Sequence, residues 1–170
     1  MSRRPISTRA MGLTALALLT ATPLLAAHAP KHMAKPAPAM VPADVIKARI
    51  ASFKEIGGGL KGIFDQLRAP EPQIALIKQS VKPITAGATG IYKWFPAGSG
   101  PESGLKTAAK PEIWTQAAKF KMAQDAFAAQ AKALTAAVDG GKLDLIKAEA
   151  IKMGGTCKGC HENFRVSEHK

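Results

Sequence analysis

The sequence predicts an all-α protein, an antiparallel four-helix bundle, and three observations carry that prediction. Aromatic residues make up only 5% of the 170 residues, and the short alternating runs of Val, Ile, Thr and Tyr that strands need are scarce. Apolar residues recur at intervals of three and four over four long stretches, the spacing that places them on one face of a helix. Turn-forming clusters at Ala69-Pro70, at residues 94–101 and at Asp139-Gly140-Gly141 separate those stretches, and mostly short links make consecutive helices antiparallel neighbours. The length suits one domain.

Residues 1–29 read as a targeting segment rather than as fold. Arg3, Arg4 and Arg9 form a positive start, Met11 to Leu25 is apolar and uncharged, and small residues follow at Ala26, Ala27 and Ala29. That is the layout of a secretory signal peptide, and the apolar part is short for a membrane span. Ala27-His28-Ala29 is the nearest cleavage site, although Pro30 directly after it is awkward and a cut near Ala39 is the alternative. An uncleaved anchor is the competing reading. No apolar pair follows Arg3-Arg4, which argues against a twin-arginine signal. Residues 30–42 are rich in Pro and Ala without periodicity, as in a spacer, and the folded domain is expected over residues 43–170. Cleavage after Ala29 lowers the formal charge from +12 to +9, leaving 21 basic against 12 acidic residues. That balance suits an acidic partner or an anionic surface. The lysines are scattered, with no arginine-rich stripe, so nucleic acid is not expected as a partner.

The first helix is expected from Ala43 or Asp44 to Arg68, with Ile46, Ile50, Phe53, Ile56, Leu60, Ile63, Phe64 and Leu67 on one stripe. Gly57-Gly58-Gly59 in its middle costs about 1 kcal/mol per Gly relative to Ala, which suggests either close packing by a bulky neighbour, the favoured reading, or a weak point in the helix. Pro70 ends this helix. A second helix is expected from about Glu71, with Ile74, Ile77, Val81, Ile84 and Ala88 on one side and a kink or split at Pro83. Residues 94–110 form a Gly/Pro/Ser loop. The third helix opens at Pro111 and Glu112 and presents Ile113, Ala117, Phe120, Phe127, Ala131 and Leu134, with Gln124 as a polar interruption. The fourth runs from Leu143 towards Ser167, carrying Ile146, Ala150, Met153, Cys157, Cys160, His161 and Phe164.

Both cysteines lie in Cys157-Lys158-Gly159-Cys160-His161. C-x-x-C-H is the attachment signal for c-type haem. Two thiols on one helical turn reach the two porphyrin vinyl groups as thioethers, and the histidine that follows can bind the iron. A thioredoxin-like dithiol is expected beside a βαβ pattern, not late in a helical chain. Zinc takes about four ligands, and only this pair, His161 and His169 are at hand. A haem-free helical protein with a Cys157–Cys160 disulfide is the remaining alternative. No paired carboxylates or nucleophile–base set point to an enzyme.

Over residues 43–170 the chain resembles the cytochrome c′ family, four-helix c-type cytochromes with the haem site near the C-terminus. The resemblance rests on Arg49 and Phe53-Lys54, on Phe95-Pro96-Ala97-Gly98, on Lys110-Pro111-Glu112-Ile113-Trp114 and on residues 157–165. It implies one covalent haem c, with Cys157 and Cys160 as its thioethers and His161 as the axial iron ligand. It further implies Arg49 against a haem propionate, as suits a guanidinium, Phe53 over the distal face, and Arg165 beside the proximal pocket. In the related low-spin cytochromes c-556 a Met stands where this chain has Phe53. Phe cannot ligate, so the resemblance implies a five-coordinate, high-spin iron that binds NO and CO.

No other residue offers a clear sixth ligand. Met153 and His169 share a helix with His161, Met122 falls off the apolar stripe, and His32, Met33 and Met40 lie in the spacer. Trp94 and Trp114 are expected to pack against the haem or the bundle. The reading is therefore a periplasmic gas-binding or electron-transfer cytochrome, with a six-coordinate carrier of the c-556 kind as its rival. The sequence names no redox partner, and dimerisation through the first two helices is common in the family.

Overall fold

The computed structural model describes residues 41–167. Over that span the chain forms α1 (Pro42–Arg68), α2 (Ile74–Gly90), a short α3 (Glu112–Thr115), α4 (Ala117–Gly140) and α5 (Leu143–Phe164). Single 3₁₀ turns occupy Ile91–Lys93 and Pro101–Ser103. The four long helices pack in a ring: α1 against α2, α2 against α4, α4 against α5 and α5 back against α1. This is the predicted bundle.

Local chemistry sets the boundaries. Pro42 occupies the first turn of α1, with Asp44 beside it and Arg68 in the last turn, an arrangement that suits both the fixed φ of Pro and the helix dipole. Gly141 closes α4 at φ 69°, and its N–H donates to the Ala137 and Val138 carbonyls, a left-handed cap that glycine adopts without strain. The core lies where the stripes converge: Ile63, Ile77, Ile84, Leu134, Ile146 and Met153 are fully buried, each contributing about 1.5–3 kcal/mol of apolar burial.

Several expectations need correction. The second helix starts at Ile74 rather than Glu71, and it continues through Pro83 without splitting. The ring of Pro83 rests where Gly59 has no side chain: a Cβ there would lie 2.9 Å from Pro83 Cγ and against the Ser80 carbonyl. Close packing thus explains Gly59 alone, because Gly57 and Gly58 meet nothing. The third predicted helix is broken: Gln116, at φ −118° and ψ 47°, separates α3 from α4. Ile50 is half exposed rather than core. Gln124 is buried and donates through Nε2 to the Ile91 carbonyl at 3.2 Å, which ties α4 to the end of α2. The fourth helix stops at Phe164, short of the expected end at Ser167. The predicted signal and almost all of the spacer lie outside the described residues, as does His169.

Candidate haem site

The last two turns of α5 carry the thiol pair. Cys157 and Cys160 are free and half-buried. Cys157 packs against the main core, which includes Ala150, Met153 and Phe127. Cys160 packs against a second, smaller cluster of Ala109, Ile113, Phe120 and Phe164, and Phe95 touches both clusters. The two thiols therefore straddle a junction between apolar clusters, and burial pushes both thiol pKa values up.

His161 follows on the exposed side of the turn, and its ring makes no hydrogen bond among the described residues. Partial desolvation, then the neighbouring Arg165 charge, pushes its pKa below the ordinary histidine value. Both effects favour the neutral imidazole, whose lone pair can bind a metal. The end of α5 is held by a short antiparallel bridge. Lys110 N–H donates to the Phe164 carbonyl at 3.0 Å and Val166 N–H to the Ala108 carbonyl at 2.8 Å, while Lys110 Nζ reaches the Glu162 carbonyl at 3.0 Å. Arg165 sits in this bridge opposite Ala109, exposed, and its backbone N–H donates to the His161 carbonyl.

Arg49 and Phe53 lie one turn apart on α1, hence on one face. Arg49 is only 4% exposed. Its guanidinium donates to the Trp94 carbonyl at 3.2 Å, Ser99 Oγ at 3.1 Å, the Ser99 carbonyl at 3.0 Å and Thr107 Oγ1 at 3.0 Å. It also lies 4.5 Å from the centre of the Phe95 ring. Burial lowers its pKa and the charge of Glu102 partly offsets that. Arg49 thus fastens the 94–107 loop to α1.

Phe53 is partly buried and meets Trp94 edge-on, with ring centres 5.1 Å apart, and Phe95 at 6.1 Å. Trp94 itself lies over Gly90, where a Cβ would stand 2.9 Å from the indole. From Phe95 the edge-to-face contacts continue to Phe120 at 5.0 Å and from Phe120 to Phe164 at 5.0 Å. Trp114 joins at 6.3 Å from Phe95 and donates Nε1 to the Phe95 and Pro96 carbonyls. An aromatic run thus leads from Phe53 on α1 to Phe164, one turn beyond Cys160 on α5.

These residues fit a covalent haem. The thiols lie beside apolar and aromatic clusters that suit a porphyrin, His161 follows them directly, and no group of three His, Cys, Asp or Glu side chains is gathered for an ordinary metal ion among the described residues. Arg49 is a buried cation that no carboxylate hydrogen-bonds, and such a charge favours an anionic partner, which a propionate would supply.

A sequence model of the family described as Cytochrome C' matches residues 44–165. The chain belongs to the cytochrome c′ family. The cytochrome c′ of Rubrivivax gelatinosus is 37% identical over 134 residues, covering 73% of this chain and 95% of that protein. The cytochrome c′ of Alcaligenes xylosoxydans is 32% identical over 125 residues, covering 73% and 94%. A nitric oxide complex of a mutant of that cytochrome superposes with a TM-score of 0.66 at 29% identity, over 75% of this chain and 97% of the other. A carbon monoxide complex of another variant superposes equally well. The cofactor of the family is one covalent c-type haem, which sets aside the haem-free disulfide reading.

Sequence reasoning named Cys157, Cys160, His161, Arg49, Phe53 and Arg165. It did not foresee Ser99 and Thr107 as partners of Arg49, nor Phe120 and Phe164 as links of the aromatic run. The two phenylalanines stood on predicted apolar stripes. The Ser and Thr carried no signal, because hydroxyl residues are common in loops.

Proposed function

We propose that this cytochrome c′ family member is a periplasmic protein whose haem iron is held by one protein ligand, His161, and takes up NO or CO on its other face. In this reading Cys157 and Cys160 form the thioethers, Arg49 meets a propionate, Phe53 covers the distal face and Arg165 borders the proximal pocket. The observation that carries it is Phe53: a side chain with no lone pair, one turn after buried Arg49 and held edge-on by Trp94. Among the described residues, the methionines that could replace it are badly placed. Met153 is wholly buried on the helix of His161, and Met122 is 71% exposed. The nitric oxide and carbon monoxide complexes of the related cytochrome support the same chemistry.

The bound haem supplies an iron centre that accepts a diatomic ligand or an electron; the chain decides which ligands arrive. Phe53 offers no hydrogen-bond donor and fills space, so it disfavours bound O₂ and excludes water. A small ligand enters when Phe53 swings away from Trp94. His161, anchored by the bridge at the end of α5, would be the residue that holds the iron. The same reading takes the protein as a binding and electron-transfer protein rather than an enzyme, exported by the segment 1–29.

The test is the visible spectrum of the ferrous protein before and after adding CO. A broad, unsplit band that sharpens and shifts with CO is expected. Sharp split bands indifferent to CO would overturn the five-coordinate reading and establish the six-coordinate carrier.

A further inference from the structure

A hollow of about 510 Å³ opens between the first half of α1 and the loop that Arg49 fastens. Ile46, Ile50 and Leu105 contribute to its apolar floor, Lys47, Lys54 and Lys106 stand around it, and no acidic residue lines it among the described residues. Ile50 and Leu105 are each 41% exposed, so two large aliphatic side chains meet water in one concavity. Like most lysines of the described residues, none of the three enters an ion pair, so the rim keeps its full positive charge. The hollow also adjoins the candidate site through the chain itself. Ile50 follows Arg49, Lys54 follows Phe53, and Lys106 precedes the Thr107 that Arg49 holds.

We propose that this hollow is the docking surface for an acidic redox protein, one presenting an apolar side chain ringed by carboxylates. The proposal rests on the cytochrome reading above and names the class of partner that exchanges one electron with it; no atom is transferred. Charge selects this occupant over the others. A second copy docked through the same face would set three unpaired lysines against three more, on chains whose formal charge is +9 once residues 1–29 are removed. The segment 1–40 of this chain carries Arg3, Arg4, Arg9, Lys31 and Lys35 and no acid, so it offers no charge complementary to the rim. An acidic surface matches the rim, which governs encounter rate and its salt dependence. An apolar side chain matches the floor, which gives the dry centre that a specific contact needs.

Flavodoxin serves as the acidic probe. Oxidised flavodoxin is titrated into ¹⁵N-labelled holoprotein in its ferrous, CO-bound form, and amide shifts are followed. In parallel, flavodoxin hydroquinone reduces the ferric holoprotein in a stopped-flow mixer at low and high salt. Shifts clustered at residues 43–54 and 105–106 are expected. The double variant Lys54→Glu/Lys106→Glu is expected to be reduced about tenfold more slowly at low salt, with a flatter salt dependence. Lys132→Glu/Lys147→Glu, at exposed positions of α4 and α5, is expected to stay within about twofold. Equal slowing by both doubles, or shifts elsewhere, would overturn the proposal and leave only the net field of a basic protein. Shifts at the hollow produced by phosphatidylglycerol vesicles and not by flavodoxin would overturn it in favour of a lipid surface. Dithionite reduction separates the two levels of argument. A protein that dithionite cannot reduce fails as a cytochrome, whereas normal dithionite reduction without localised shifts refutes the docking surface alone.

Discussion

Replacing Arg49 by Leu tests whether one buried cation organises the distal half of the site. The guanidinium, 4% exposed, gives four hydrogen bonds of 3.0–3.2 Å to Trp94, Ser99 and Thr107. Hydrogen bonds from a charged donor contribute about 1.5–3 kcal/mol each, so the gross loss is about 6–12 kcal/mol. Against this, Leu avoids several kcal/mol of guanidinium desolvation. What remains is dominated by the Trp94 and Ser99 carbonyls, left buried without a donor at about 1–3 kcal/mol apiece. The net expectation is a destabilisation of about 3–4 kcal/mol, or about 10–15 °C in melting temperature for a domain of this size. Far-UV circular dichroism melts of the ferric holoprotein measure it. Arg49→Lys retains the charge but lacks the planar fork that serves several acceptors at once, and should recover only part of the loss. Thr107→Val alone should cost about 1 kcal/mol, and combined with Arg49→Leu it should cost at least about 0.5 kcal/mol less than the sum. An Arg49→Leu protein melting within about 2 °C of the parent would refute the account, because four such bonds, two buried and two partly buried, cannot vanish without effect.

The fold and the site were legible in the sequence to different depths. Helix number and order were readable because the apolar stripes of all four long helices keep a spacing of three and four, and burial then follows the stripe, as at Ile56, Ile63, Ile77 and Ile146. The break at Gln116 was not readable, since nothing in Thr115-Gln116-Ala117 marks a turn; loop packing and the Trp114 bonds to Phe95 and Pro96 impose it. The continuity of α2 through Pro83 was hidden for a related reason. Pro lacks one N–H, but the partner that accommodates its ring, Gly59, lies far back in the sequence on another helix. The thiol pair and His161 declared themselves because their chemistry needs a fixed local spacing. The partners of Arg49 are 45 to 58 residues away in sequence, and no local pattern encodes a contact of that range. The exposed Ile50 looked like core by its spacing alone; only the position of the loop beside it shows that it faces water.

Three further experiments follow from named residues. Phe53→Met should turn the ferrous spectrum into sharp split bands insensitive to CO. Loss of its edge-on contact with Trp94 and its tilted contact with Phe95 should cost about 1–2 kcal/mol; an unchanged spectrum would remove Phe53 from the distal face. Cys157→Ser/Cys160→Ser should yield a protein whose haem stain is lost in denaturing electrophoresis, while either single change should keep it through the remaining thioether. Adjacent glycines in α1 should respond in opposite directions to the same substitution. Gly58→Ala adds a methyl group where nothing lies within 4 Å, and it lowers the freedom of the unfolded chain, so a gain of about 0.5–1 kcal/mol is expected. Gly59→Ala brings the same methyl group against the Ser80 carbonyl and to 2.9 Å from Pro83 Cγ. Neither neighbour is a flexible side-chain end, so α1 and α2 must separate, and a loss of about 1–3 kcal/mol is expected. Urea denaturation of the two variants measures the pair. Equal effects would mean that α2 does not pass this close to α1, and the explanation for an unbroken helix through Pro83 would fall with it.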